Sequence, residues 1–147
     1  SDDLESLKNL IIKFRDISSR MIVVKVSPDS TNEEVLKVCE ILSDFSKTAI
    51  NIGNTKYVKA GDVGLSSKTF SKEGGGLSGK SLYSNTLRMV KLVASNYDLP
   101  IIATGGVSSY DNVKELLHNG ASLTGMATLL VSDPFQIPLI NYRLSND

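Results

Sequence analysis

The sequence predicts an α/β fold built on a parallel sheet. Short, β-branched apolar segments alternate with amphipathic helical ones along the chain. A helix stands between each pair of successive strands, which calls for parallel pairing through right-handed crossovers. Polar or glycine residues also stand at the C-terminal end of each strand: Lys25, Asn54 and Thr55, Gly105 and Gly106, and Thr128. Parallel sheets place their ligands at that edge. Four such units make either half of an eight-stranded barrel or a small open sheet.

The elements follow in order. Leu4, Leu7, Leu10, Ile11 and Phe14 recur at spacings of three and four, giving an amphipathic helix over Leu4–Phe14. "MIVVKVS" (Met21–Ser27) is almost wholly apolar and reads as a strand buried on both faces, stopped by Pro28. Thr31-Asn32-Glu33-Glu34 is a capping box opening a helix that runs through Leu42. "TAINIG" (Thr48–Gly53) is the second strand, and Asn54–Lys72 is polar and irregular. Leu82–Tyr97 reads as a helix. "PIIATGG" (Pro100–Gly106) is the third strand. Ser109–His118 is a helix closed by Asn119-Gly120, a left-handed cap. "SLTGMATLLV" (Ser122–Val131) is ambiguous by itself, and its place in the alternation favours a fourth strand. Pro134 opens a short final helix. There is no low-complexity linker and no close internal repeat.

Composition bounds the function. The 147 residues suffice for one domain, and the apolar (41%) and charged (22%) fractions are those of a globular chain. Lys+Arg and Asp+Glu balance at 16 each, so charge gives no case for nucleic acid or an anionic membrane. One Cys and one His rule out a disulfide within the chain and a structural zinc site; no metal is expected. No apolar run reaches the ~18 residues of a membrane span, and no targeting signal is visible. The chain opens on Ser1 rather than Met, which suits a part of something larger.

Gly74 to Ser81 reads G-G-G-L-S-G-K-S and satisfies the phosphate-loop pattern G-x-x-x-x-G-K-[ST]. That pattern acts only where a buried strand feeds the loop. The ten residues before it, "GLSSKTFSKE", are polar and read as no strand. No strand ends in a carboxylate placed to hold magnesium. Nucleotide hydrolysis is therefore not expected, and the glycines read as positions of close backbone approach or as a flexible surface loop.

"VVKVSPD" (Val23–Asp29), "IGNT" (Ile52–Thr55), "GGLSGKSL" (Gly75–Leu82), "PIIATGGVSS" (Pro100–Ser109) and "NGASLTGMAT" (Asn119–Thr128) occur in one order. Together they resemble the C-terminal half of the class 2, quinone-dependent dihydroorotate dehydrogenases, which show V-K-I-A-P-D, T-N-T-T, G-G-L-S-G-K/R-P-L, P-I-I-G-V-G-G-I-S-S and A-G-A-S-L-V-Q-[LI]-Y-T. The resemblance implies a (β/α)8 barrel that binds FMN, with residues 1–147 forming about its last four units. It implies oxidation of dihydroorotate to orotate, in pyrimidine biosynthesis: a base takes the C5 proton, hydride passes to flavin N5, and quinone reoxidises the flavin.

The resemblance also assigns residues. Lys25 matches the lysine whose ammonium meets the flavin ring. Gly79 matches a glycine whose backbone touches FMN, and Gly106 a glycine of the phosphate site. Ala127 and Thr128 match the Tyr-Thr pair at the phosphate, and Gly53 stands where the family has Thr at the flavin. Asn54 and Thr55 match the pair that hydrogen-bonds the pyrimidine. Gly53, Ala127 and Gly125, the last in place of Gln, are departures that thin the side-chain packing on FMN.

The family's catalytic serine, in an N-x-S-S-P-N-T type segment of the N-terminal half, has no counterpart here, nor do the membrane-associating helices that admit quinone. The expected partner is therefore the remaining half-barrel, in the same or another chain, with the assembled enzyme associated with a bacterial or mitochondrial inner membrane. Ser78, His118 and Cys39 read as a loop hydroxyl, a helix-surface residue and a core residue, not as catalytic groups. The rival expectation is a non-catalytic structural or interaction subunit that kept the fold and lost the chemistry.

Overall fold

Four strands lie side by side in chain order in one parallel sheet: β1 (Ile22–Val26), β2 (Thr48–Ile52), β5 (Ile101–Thr104) and β6 (Leu123–Gly125). The coordinates are a computed structural model that describes residues 2–66 and 73–147. Ser1 and residues 67–72, which include most of the polar stretch preceding the glycine cluster, lie outside the described residues. The helices α1 (Asp2–Ile17), α2 (Asn32–Ser43), α3 (Tyr83–Ala94) and α4 (Tyr110–His118) pack side by side, each against its neighbour in the chain. Sequential parallel strands joined by crossovers of one hand put their helices on one face. The strands follow chain order without reversal, unlike a doubly wound sheet, whose order reverses at a switch point.

The core lies between that helical layer and one face of the sheet. Ile50, Ile52, Ile101 and Ala103 meet Val35, Cys39 and Leu42 of α2, Met89, Val90 and Val93 of α3, and Val113 and Leu116 of α4. Each fully buried side chain of this size contributes about 1.5–3 kcal/mol. Thr48 is buried at the start of β2 and donates its hydroxyl to the Leu42 and Phe45 carbonyls, so its polar group is satisfied. Arg15 ties α1 to the bottom of the sheet, donating to the carbonyls of Arg20, Ser46 and Lys47 at 2.6, 2.6 and 2.8 Å. Thr31 caps α2 as the sequence predicts: its Oγ1 accepts from the Glu34 N–H, and Glu34 accepts from the Thr31 N–H at 2.7 Å. These bonds hold the Glu34 carboxyl below the ordinary value for glutamate.

The structure corrects three sequence expectations. β1 is not buried on both faces: Val23 is 45% exposed, and Lys25 lies exposed on the same face. β1 is an edge strand of a sheet whose helices cover the other side. Next, Ser122–Val131 is not one strand. It extends only over Leu123–Gly125, and Ala127–Ser132 forms a short helix, α5, followed by α6 (Gln136–Leu144). Gly125 and the chain reversal at Met126 end the strand, and the Ala and Leu residues beyond are good helix formers. Finally, the irregular Asn54–Lys72 stretch contains a strand, β3 (Lys56–Lys59), and a 3-10 turn at Ala60–Val63. The glycine cluster is itself a strand, β4 (Gly74–Leu77), antiparallel to β3, with Tyr57 opposite Gly76.

Candidate functional site

A cleft of about 140 Å³ opens at the C-terminal edge of the sheet. β1 contributes Lys25 to it, the turn after β2 contributes Asn54 and Thr55, and the turn after β4 contributes Ser78 and Gly79. Gly105 and Gly106 follow β5 into it, and α5 opens on Ala127 and Thr128 at its far side. Seven of the eight residues singled out from the sequence thus meet in one cleft, although they come from five separate stretches of chain. Gly53 is the exception. It is buried, against the backbone of Thr104, and does not line the cleft. Ala127 and Thr128 arrive from a helix start rather than from a strand end.

Local chemistry explains the shape of the walls. Gly106 has φ +75°, and a Cβ there would lie 2.4 Å from the Tyr83 nitrogen and 3.0 Å from the Gly79 carbonyl oxygen. Only glycine lets the turn after β5 pass this close to the start of α3. Facing Gly79, the nearest atom to a built Cβ is Thr128 Cγ2 at 3.9 Å, so the gap between these two walls is open. A second cavity of about 340 Å³ continues past Gly79, Gly106 and Thr128 to Lys80, Ser108, Ser132, Asp133 and Gln136. Beside Lys25 in the register stands Asn51, whose Oδ1 accepts from Thr104 Oγ1 at 3.1 Å.

Sequence reasoning missed Thr104, Leu82 and Val107 as lining residues. Thr104 was within reach of it, being a polar residue at the end of a parallel strand. Ser78 lines the cleft and Gly125 completes it. The remaining chemistry-bearing residues lie elsewhere. Cys39 is fully buried in α2, which pushes its thiol up to about 11 and leaves it unreactive. His118 is exposed on the last turn of α4. Tyr83 Oη donates to Glu115 at 2.6 Å, and burial together with that carboxylate raises its pKa, so it ties α3 to α4 as a neutral phenol. Among the described residues no group of three or more His, Cys, Asp or Glu converges to hold a metal ion, and no helix is long and apolar enough to cross a membrane.

The phosphate-loop pattern has a different structural meaning. Gly74 to Leu77 are extended and paired with β3, not wrapped around an anion. Saturable, magnesium-dependent ATP or GTP hydrolysis is therefore not expected, and Lys80→Ala should leave any nucleotide signal at background. Hydrolysis abolished by that substitution would overturn this assignment.

Three comparisons bear on the cleft. The sequence pattern of the family described as dihydroorotate dehydrogenase matches residues 2–146. The catalytic subunit of an NAD-dependent dihydroorotate dehydrogenase B from Bacillus pumilus is 36% identical over 135 residues, 90% of this chain and 42% of that protein. A quinone-dependent dihydroorotate dehydrogenase from Chloroflexus aurantiacus is 32% identical over 128 residues, 86% of this chain and 34% of that protein. Among solved structures, the dihydroorotate dehydrogenase of Eimeria tenella in complex with ferulenol superimposes with a TM-score of 0.71 at 25% identity, over 86% of this chain and 34% of that one. The chain thus spans about two fifths or less of the length of these relatives.

Proposed function

The chain belongs to the dihydroorotate dehydrogenase family, and on that basis we propose that it forms one wall of an FMN and dihydroorotate site in a barrel completed by further strands. The observation that carries the proposal is the meeting of Lys25, Asn54, Thr55, Gly79, Gly106, Ala127 and Thr128 in one cleft. The residues present fit the cofactor. The open gap between Gly79 and Thr128 leaves room for an anionic group, and Thr128 adds a hydroxyl donor. Lys25 supplies the cation of the cleft floor, against which the flavin ring would lie. Bound FMN supplies the hydride acceptor.

The chain's own residues then have distinct tasks. Lys25 offsets negative charge that gathers on the ring. Asn54 and Thr55 carry the donors and acceptors that orient a pyrimidine ring at the cleft mouth. Among the described residues lining the cleft there is no His, Asp or Glu, and in this reading the proton from C5 passes to a residue contributed by the rest of the barrel. Quinone is the acceptor favoured by the order and wording of the five motifs, and that reading puts the assembled enzyme at a membrane. NAD through a partner subunit is the second reading, supported by the similarity to the catalytic subunits of Bacillus pumilus and its kin. A non-catalytic role is supported by Gly125 and Ala127, which withdraw two side chains from the cleft wall.

A flavin absorbance band should accompany the protein when it is assembled with its remaining strands. Lys25→Ala should weaken FMN binding by roughly tenfold, the value of one charge-assisted contact. A colourless assembly that takes up no added FMN would sink the cofactor claim.

A further inference from the structure

We propose that Asp29 is a positioning residue of the cleft, its carboxylate latching the β3–β4 ribbon to the turn that follows β1. The proposal rests on reading the cleft as the flavin and substrate site. Asp29 Oδ2 accepts the Tyr57 N–H at 3.1 Å, across 28 residues of sequence. The turn that carries Asp29 is itself fixed. Its N–H donates to Ser27 Oγ at 3.2 Å, and the Pro28 carbonyl accepts from Asn85 Nδ2 of α3 at 3.1 Å.

The ribbon needs such a latch. Among the described residues β3 and β4 pair only with each other, apart from the four-stranded sheet. A two-stranded ribbon is marginal by itself in water. Yet the ribbon enters through Asn54 and Thr55 and leaves through Ser78 and Gly79, and all four line the cleft. Where it sits decides where those groups point. Thr55 in turn lies across β4, because a Cβ at Gly76 would stand 2.3 Å from Thr55 Oγ1. Gly76 is the residue opposite Tyr57 in the register. The bond to the Tyr57 amide therefore fixes the one cross-strand pair on which Thr55 rests. This gives Gly76 of the phosphate-loop pattern a purpose: a position without a side chain on which a site residue can lie. It also ties the strand bearing Lys25 to the opposite wall through a turn only four residues further on.

Hydrogen exchange on the purified protein tests the latch without any ligand. Asp29→Ala should speed exchange in peptides covering 54–59 and 73–79 about fivefold, the typical net worth of one hydrogen bond. Peptides covering β1, β2 and β5 should be unchanged. Asp29→Asn keeps an oxygen acceptor and should restore protection. FMN titration of the protein assembled with its remaining strands, followed by quenching of flavin fluorescence, should show weaker binding for Asp29→Ala and near-native binding for Asp29→Asn. Unchanged ribbon exchange in Asp29→Ala, or an Asn variant no better than Ala, overturns the proposal. Absence of FMN binding by the unaltered protein assembled with its remaining strands would instead overturn the flavin reading, and the exchange result would still decide the latch.

Discussion

Replacing Gly53 by threonine, the residue that the resemblance assigns to this position, should destabilise the protein rather than restore the site. Gly53 has φ +121°, a conformation that residues with a side chain rarely adopt. A Cβ there would lie 1.4 Å from the Thr104 carbonyl oxygen and 2.4 Å from its carbon. The obstacle is backbone at the end of β5, and β5 is held in register with β2 by the Ile52 to Ala103 pairing. No rotamer relieves such a clash, so the ends of two central strands would have to part. A penalty of roughly 3–5 kcal/mol is expected, which is a large share of the stability of a typical domain. Gly53→Ala should cost nearly as much, because the clash arises at Cβ. Urea unfolding of both variants measures it. If either variant were as stable as the parent, the left-handed backbone at this position would be wrong. The expected loss also changes how the departure at Gly53 reads. It follows from the local course of the chain and is not by itself a sign of lost chemistry.

Where the sequence was legible, one physical signal dominated. The helices were readable because apolar spacing and caps agreed, as at Thr31 and at Ser109, whose Oγ accepts from the Asn112 N–H. The strands β1, β2 and β5 were readable because short apolar runs were bounded by Pro or Gly. Failure came where composition and environment part company. The run from Ser122 to Val131 is uncharged and mostly apolar, and apolarity alone does not distinguish a strand from a helix. The β3–β4 ribbon was invisible because its strands, Lys-Tyr-Val-Lys and Gly-Gly-Gly-Leu, are short and mostly lysine and glycine, which no pattern of burial selects. Gly74 to Ser81 matches the phosphate-loop pattern by residue type alone, and the polar residues before it were enough to set that reading aside. Most of the cleft residues were found by resemblance to a family. From residues alone, only the rule that ligands sit at the C-terminal ends of parallel strands pointed there, and it reached Lys25, Asn54, Thr55, Gly106 and Thr128 together. That rule could not show that Gly53, one residue from Asn54, faces inward.

The chain of residues 1–147, expressed by itself, should self-associate at micromolar concentration. The four-stranded sheet has two free edges, β1 and β6, and each is flanked by an apolar groove. Beside β1, Leu7, Leu10, Ile11 and Phe14 of α1 face Met21 to Val24 around a cavity of about 370 Å³. Beside β6, Leu117, Leu123, Met126, Leu130 and Ile137 line one of about 460 Å³. Leu10 is 64% exposed, Leu123 62% and Leu130 57%, and Phe135 stands exposed further along the same side. Unpaired edges invite strand addition, and closure is what removes them. Covering ~400 Å² of apolar surface on each partner would contribute about 20 kcal/mol at 25 cal/mol per Å². Association costs on the order of 4–15 kcal/mol, and a micromolar complex needs a surplus of only about 8 kcal/mol. The balance favours pairing across most of that range. Sedimentation velocity from 1 to 50 µM should show the weight-average coefficient rising with concentration. Leu10→Lys and Leu123→Lys, one at each groove, should each lower it towards the monomer value. A cooperative, fully folded monomer across the whole range would mean that the two edges are already satisfied, and that this sheet is a complete open fold and not a segment awaiting closure.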